Sequence, residues 1–434
     1  MRLDTKSLKD WLVYLEQLHP RMIDMGLERV QQVSLAAGLD PRFPIITVGG
    51  TNGKGSVCAM LESILSEAGY RVGCYMSPHL LRYNERIRIR RQEATDDEIC
   101  AAFSEIESAR QTCQISLTYF EVGTLAAMWL FMRRSVEVAI LEVGLGGRLD
   151  AVNVFNPDCA VLTSIDLDHQ DYLGNTLEEI GLEKIGIFRE HKPAVCAEPE
   201  IPQIVLQHMK EMGANLLLLN EHFGYQVEGS CWHYQGYGHH YRNLPLPALK
   251  GACQLQNGSA SLAALEAMQI KLPVSLDSIS RGLKKVSLPG RFQQVFSNPS
   301  VILDVAHNPG AARQLAANLD AAIFDGCTIA VVAMLKDKDI VATIRQLAGS
   351  VDFWVVAGLD VSRGASEQEI QIALRQADID HHRLIGVFPC VSRACAYACD
   401  YANENDRICV FGSFHTVGAA LEAFTAANRT VVKV

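Results

Sequence analysis

The sequence predicts an α/β protein: a doubly wound parallel sheet built around a phosphate-binding loop, followed by a second, smaller α/β unit. Three observations carry this. A short β-branched run, Phe43-Pro44-Ile45-Ile46-Thr47, leads into the glycine-rich turn Val48-Gly49-Gly50-Thr51-Asn52-Gly53-Lys54-Gly55-Ser56 and then into helical apolar spacing over 57–68. Strand-like runs at 71–76, 136–144 and 159–165 alternate with helical stretches, as in a parallel sheet. Each of these strands ends in a glycine-rich or polar loop, where such sheets bind ligands.

Size and composition bound the function. At 434 residues the chain exceeds one ordinary core. The expected division is a phosphate-loop domain over 1–290, a hinge over 291–298 and a C-terminal domain over 299–434. A chain that is 49% hydrophobic and 20% charged has the balance of a globular protein. Its net charge of −10 argues against a nucleic-acid partner, because phosphate backbones call for a basic surface. Thirteen cysteines, an odd number with no C-x-x-C pair, read as reduced thiols. No signal-like segment opens Met1-Arg2-Leu3-Asp4-Thr5-Lys6, so a cytoplasmic location is expected. The longest apolar run, 122–132, is too short to span a bilayer, so no membrane partner is expected.

In chain order, Leu8, Trp11, Leu12 and Leu15 mark an amphipathic helix over 7–17, and a second helix ends near Gly38. In the loop that follows, glycines let backbone N–H groups converge, the helix start adds its positive end, and Lys54 supplies a mobile charge for phosphates. The loop departs from G-x-x-x-x-G-K-[ST]: Val48 takes the first glycine position, and Gly55 separates Lys54 from Ser56. The strand 71–76 runs into the polar loop 77–86. Thr95 and Glu98 have the spacing of a capping box for a helix over 96–110. An apolar helix over 120–131, a strand over 159–165 and a helix over 177–187 continue the alternation. Residues 223–241 shift to Gly, Tyr, Trp and His and read as a β-hairpin. Its His233, His239 and His240 find no acidic or thiol partner in sequence to complete a metal site. A helix over 257–268 follows, then the exit Ser287-Leu288-Pro289-Gly290-Arg291-Phe292. The second unit has strands at 300–305, 328–334, 353–357 and 407–411. Cys390, Cys395 and Cys399 read as the small-residue face of a helix.

Several strand ends carry chemistry. Glu142 closes an apolar strand and precedes Gly144, Gly146 and Gly147. A carboxylate there suits Mg²⁺, which takes an octahedral oxygen shell; the competing reading is a strand-end Glu facing water. In Asp166-Leu167-Asp168-His169, His169 reads equally as a ligand or as a cap. Lys184 reads as a solvated lysine, unless its amine reacts with carbon dioxide; the carbamate would turn it into an oxygen ligand. Asp304-Val305-Ala306-His307-Asn308 and Gly412-Ser413-Phe414-His415-Thr416 form two similar polar loops in the second unit, and together suggest a shared ligand face.

These motifs occur in an order that resembles the folylpolyglutamate synthases of the Mur ligase superfamily, most closely the bifunctional ones that also act as dihydrofolate synthases. They are Gly50 to Ser56, Ser77-Pro78-His79-Leu80, Leu141 to Asp150, Asp168-His169, Glu183-Lys184-Ile185-Gly186-Ile187, Pro289-Gly290-Arg291-Phe292, Asp304 to Pro309 and Gly412 to Val417. The resemblance implies a P-loop ATPase-type sheet like the Mur ligase central domain and a smaller Rossmann-like C-terminal domain. It implies ligation of L-glutamate to dihydropteroate and to folates through an acyl phosphate, by a monomer. By the same resemblance Gly50, Thr51, Asn52, Gly53, Lys54, Gly55 and Ser56 bind ATP phosphates, with Asn257, Arg291, Asp304 and His307 also contacting ATP. Ser77, Glu142, His169 and carbamylated Lys184 bind Mg²⁺, at two sites, and a monovalent cation is an added expectation. Lys54, Lys184, His169 and Glu142 would be the catalytic set. Ile23, Asp24, Met25 and Gly26, with Thr118, Tyr119, Phe120 and Glu121, resemble the pterin-holding segments of the bifunctional members; Ser413 and His415 are further candidates for substrate contact. The competing readings are a synthase lacking the dihydropteroate activity, a cell-wall peptide ligase and a nucleotide switch. The last would leave the second-unit motifs unexplained, and no Asn-Lys-x-Asp motif supports it.

Overall fold

The computed structural model describes residues 6–322 and 324–426. The start over which no signal-like segment was read, Met1 to Thr5, lies outside the described residues. The chain forms two compact units. The larger takes the chain up to Ile165, then Leu173–Ala248 and Leu255–Val286; the smaller takes Asp166–Tyr172, Leu249–Gln254 and the chain from Ser287.

The larger unit is built on eight strands: β1 (Ile45–Gly49), β2 (Val72–Tyr75), β3 (Ile87–Ile89), β4 (Gln92–Glu93), β5 (Val138–Glu142), β6 (Cys159–Leu162), β7 (Pro193–Cys196) and β8 (Asn215–Leu218). Their order is β4-β3-β2-β5-β1-β6-β7-β8. From β2 to β8 all neighbours run parallel, while β3 and β4 add an antiparallel edge. The central strands β1, β2, β5 and β6 are buried at every residue, as strands covered on both faces must be. The register sets Val48 of β1 opposite Glu142 of β5.

The helices form where caps and periodicity specify them. Thr95 and Glu98 make the expected capping box, and the helix runs Asp96–Cys113. Thr118 and Glu121 make another, starting the helix Tyr119–Arg133. The helix after the phosphate loop starts at Lys54 itself and runs to Glu67. The helix expected over 177–187 is α-helical only over Leu177–Lys184 and tightens to a 3₁₀ turn over Ile185–Ile187.

The region expected as a hairpin is a three-stranded antiparallel sheet: β9 (Gly224–Glu228), β10 (Cys231–Gln235) and β11 (His240–Pro245), in the order β11-β10-β9. Its central strand buries Trp232 and Tyr234, and a flanking strand on each side completes the pairing. His233 and His239 do have acidic partners. His233 Nε2 lies 2.7 Å from Glu228 Oε2, and the His239 N–H donates to Glu266 Oε1 at 2.9 Å.

The smaller unit is a six-stranded sheet of β12 (Gln293–Ser297), β13 (Ser300–Asp304), β14 (Thr328–Val332), β15 (Phe353–Ala357), β16 (Leu384–Phe388) and β17 (Arg407–Phe411), ordered β12-β13-β17-β14-β15-β16. The segment 291–298, expected as a hinge, is largely β12, which pairs antiparallel with β13; all other neighbours are parallel. Cys395 is buried on the helix Val391–Tyr401, in keeping with a packing face.

Candidate active site

The phosphate loop is held in shape by the end of β6. The Thr51 N–H donates to the Ser164 carbonyl and the Asn52 N–H to Ser164 Oγ, each at 2.9 Å. Thr163 Oγ1 and Ser164 Oγ donate back to the Asn52 carbonyl at 2.6 and 3.0 Å. Two glycines are required. At Gly50, with φ +141°, a Cβ would run into Thr163 Oγ1; at Gly53, with φ +89°, it would stand 2.6 Å from Asn257 Oδ1. Asn257 is thus brought against the loop, while Gly55 and Ser56 are buried in the first turn of the helix. Lys54 folds back, its Nζ donating to the Gly50 and Thr51 carbonyls at 2.9 and 3.1 Å. A cation on a flexible stem over a glycine-rich turn at a helix start is what an anion site needs.

Beside the loop, Glu142 is 4% exposed and accepts from the Ser77 N–H at 2.9 Å. Ser77 follows β2, which pairs with β5. The turn after Glu142 reaches Lys184: a Cβ on Gly147 would stand 2.7 Å from the Lys184 carbonyl, and the Arg148 N–H donates to the Glu183 carbonyl at 2.9 Å. Lys184 is buried, at 4% exposure. The reading of it as a solvated lysine does not hold. A carboxylate and a hydroxyl suit a hard divalent cation; a lysine joins such a set as a carbamate, not as an ammonium.

His169 belongs to the smaller unit with the rest of 166–172. There it has φ +52°, and Lys338 Nζ stands 3.4 Å from its Nε2. Lys338 Nζ also lies 2.5 Å from Asp168 Oδ1, and Asn308 Nδ2 donates to Asp168 Oδ2 at 3.1 Å. Burial would raise the Asp168 carboxyl; the His307 hydrogen bond and the charges of His169, His307 and Lys338 outweigh it and hold it well below the usual range. The motifs gave no warning of Lys338, because only the fold brings it to Asp168.

In the same unit, Asp304 ends β13 opposite Phe411 of β17, so the two polar loops start side by side. Asp304 accepts from the Phe292 and Ala306 N–H groups, each at 2.8 Å. Burial raises its carboxyl and Arg291 pulls it down. Arg291 lies over the Phe414 ring at 5.2 Å. His307 Nδ1 is 2.8 Å from the Val305 carbonyl. Ser413 Oγ accepts from the Thr416 N–H at 3.0 Å, starting the helix Phe414–Ala426, and His415 is exposed.

The segments expected to hold a substrate converge in the larger unit. Phe120 packs on Gly144, where a Cβ would stand 2.6 Å from Phe120 Cζ, and Met25 Cε lies 3.5 Å from the corresponding point at Gly146. Asp24, between Ile23 and Met25, pairs with Arg29 at 2.9 Å; Gly26 has φ +154°. Tyr119 stacks edge-on against Tyr83. Thr118 and Glu121 are engaged with each other as a helix cap, and Glu121 accepts from Arg29 at 3.0 Å. Asp150 closes the motif that begins at Leu141. Fully buried, it accepts from the N–H groups of Gly144, Leu145 and Val152 at 2.8–3.0 Å and so sets the shape of the turn. Burial outweighs those bonds and pushes its carboxyl up to about 7. Its position as a cap before Ala151 was the available signal.

A phosphate loop at β1, a carboxylate on the neighbouring strand and a separate α/β C-terminal unit define a Mur-type ligase, and two family models agree: Mur ligase middle domain over residues 48–221, and Mur ligase, glutamate ligase domain, over residues 290–414. The chain belongs to the dihydrofolate synthase/folylpolyglutamate synthase family. It is 46% identical over 420 residues to the Escherichia coli (strain K12) dihydrofolate synthase/folylpolyglutamate synthase, covering 96% of each chain. To that of Haemophilus influenzae it is 39% identical, over 95% of this chain and 96% of the relative. The solved structure of E. coli FolC in complex with DHPP and ADP superposes with a TM-score of 0.93 at 44% identity, over 99% of this chain and 100% of that one. A bifunctional folylpolyglutamate synthase/dihydrofolate synthase with Mn, AMPPNP and L-glutamate bound gives 0.89 at 44% identity, over 98% and 99%.

Proposed function

We infer that this chain is an ATP-dependent amide ligase that joins L-glutamate to dihydropteroate, forming dihydrofolate, and to folates, extending their glutamate chain. The observation that carries this reading is the register Val48–Glu142: it sets a carboxylate at the start of a phosphate loop, next to the turn on which Phe120 and Met25 pack.

The chemistry follows from the reactants. A carboxylate is a poor electrophile, so its oxygen first attacks the γ-phosphorus of ATP and ADP leaves. The glutamate amine then attacks the acyl carbon, loses a proton, and phosphate departs. Gly50 to Ser56 hold the phosphates, with Lys54 turning from its loop carbonyls to the outer phosphate oxygens, and Asn257 fixing the loop from behind. Ser77 and Glu142, with His169 and a carbamate on Lys184, would hold Mg²⁺, which when bound neutralises phosphate charge. Arg291, Asp304 and His307 would also contact ATP. Phe120 and Met25 would supply apolar surface for a flat ring, with Ile23, Asp24, Gly26, Thr118, Tyr119 and Glu121 as further substrate contacts, and Ser413 and His415 would also contact substrate. Positioning and charge neutralisation in a dry site are what such a reaction asks of a protein. Two Mg²⁺ sites, a monovalent cation, a monomeric state and a cytoplasmic location complete the reading. Among the described residues no helix is long and apolar enough to cross a membrane.

The test is ATP hydrolysis with L-glutamate in the presence of dihydropteroate, of tetrahydrofolate, or of a muramyl precursor. Amide products are expected with the first two. Product with the muramyl precursor alone overturns the reading.

A further inference from the structure

In the larger unit a half-buried guanidinium joins the phosphate-loop helix to the strand end that carries Ser77. Arg88, on β3, makes a two-pronged pair with Glu62 on the helix Lys54–Glu67: Nε stands 3.2 Å from Oε1, and the second nitrogen meets Oε2. Glu62 is 3% exposed. The same nitrogen reaches Met76 Sδ at 3.8 Å, one residue before Ser77, whose N–H holds Glu142 Oε2. The sheet register enforces this, since Arg88 pairs with Cys74 on β2, and Tyr75 pairs with Leu141 on β5.

The thiols of Cys58 and Cys74 report the shared surroundings. Burial raises both well above the ordinary value, the Glu142 and Glu62 carboxylates raise them further, and the Arg88 charge acts against that. Both thiols thus feel the Glu142 and Glu62 carboxylates and the Arg88 guanidinium.

Stability alone does not account for such a fork, because a well-packed apolar pair would serve the core at least as well as a buried ion pair. A planar bidentate pair does supply what apolar contacts lack: a fixed direction between helix and strand, and a positive charge at Met76, next to Ser77.

We propose that Arg88 and Glu62 are positioning residues for the cation site, fixing the Ser77 strand end against the phosphate-loop helix so that Ser77 and Glu142 stay aligned with the loop. The proposal rests on the reading of Ser77 and Glu142 as cation ligands.

The test is Mn²⁺ affinity, measured by electron paramagnetic resonance on the full chain with AMPPNP, together with thermal midpoint and AMPPNP binding in EDTA. The variants are Arg88→Met, the Arg88→Met/Glu62→Leu double, Arg88→Lys and, as control, Glu142→Gln. Arg88→Met leaves a buried carboxylate alone and loses stability; the double variant removes both charges and recovers the wild-type midpoint. The double variant is expected to bind Mn²⁺ about tenfold more weakly while binding AMPPNP normally in EDTA. Wild-type Mn²⁺ affinity in the folded double variant overturns the proposal. If the double variant does not fold, Arg88→Lys decides: it keeps the charge and loses the fork, weakened Mn²⁺ binding supports the proposal, and unchanged binding overturns it. Unchanged Mn²⁺ affinity in Glu142→Gln would instead overturn the cation-site reading itself.

Discussion

The ammonium of Lys54 donates to the carbonyl oxygen of Gly50 at 2.9 Å, so the phosphate loop binds its own lysine. On this geometry the lysine must exchange loop carbonyls for phosphate oxygens, and its charge matters most where charge develops on the transferred phosphoryl group. Lys54→Ala is expected to lower kcat by about 100-fold or more with the fold retained. Steady-state rates alongside circular dichroism check this; an unchanged kcat removes Lys54 from the reaction.

Gly53 has φ +89° and faces Asn257 Oδ1. Gly53→Ala forces a side chain into the left-handed region, at a cost of about 1–2 kcal/mol, and pushes Asn257 away. A raised KM for ATP with a lowered denaturation midpoint is expected. Wild-type values for both would show that the loop adapts freely.

Asp150 gives a pH signature. Its folded value, about 7, lies above the unfolded value near 4, so the folded state holds the proton more tightly. The stability this provides is present below the unfolded value and is lost as pH rises through about 7. Relative to Asp150→Asn, the wild type should lose up to about 4 kcal/mol of unfolding free energy between pH 4 and pH 7, then level off. Denaturant titrations across that range decide it, and parallel curves for the two proteins would refute it.

Lys184 is buried at the end of its helix. Lys184→Ala is expected to cost turnover on the order of 100-fold or more. With ¹³C-labelled carbon dioxide, the wild type should show a carbamate resonance that the variant lacks. Equal spectra, or wild-type turnover in the variant, would remove the carbamate from the proposal.

Asp24 is paired with Arg29 next to Met25 and Gly26. Asp24→Ala should reduce kcat/KM for dihydropteroate more than for an already glutamylated folate. Equal losses on both acceptors would show that this segment does not discriminate between them.

Local chemistry explains what was legible. The phosphate loop could be read because its glycines, lysine and flanking strand and helix are contiguous, and Thr95 with Glu98 because a capping box spans four residues. Thr118 and Glu121 have the same spacing, and they form a helix cap as well as lying in a segment proposed to hold substrate. The partners of Asp168 were not legible, since Lys338 lies 170 residues away. The third strand of the 224–245 sheet was missed because it lies mostly beyond 223–241, and His240-Tyr241-Arg242-Asn243-Leu244-Pro245 lacks a simple alternation of apolar and polar types.

The sequence by itself determined the nucleotide loop, the parallel sheet and the order of the motifs, because backbone propensity, glycine freedom and apolar period act over a few residues. Only the tertiary structure decided which groups meet. Strand register brought Glu142 to Val48 and Arg88 to Cys74, burial moved Asp150 to about 7, and the Asp166–Tyr172 segment joined the smaller unit. Those outcomes depend on contacts between residues far apart in the chain, and on the desolvation that follows.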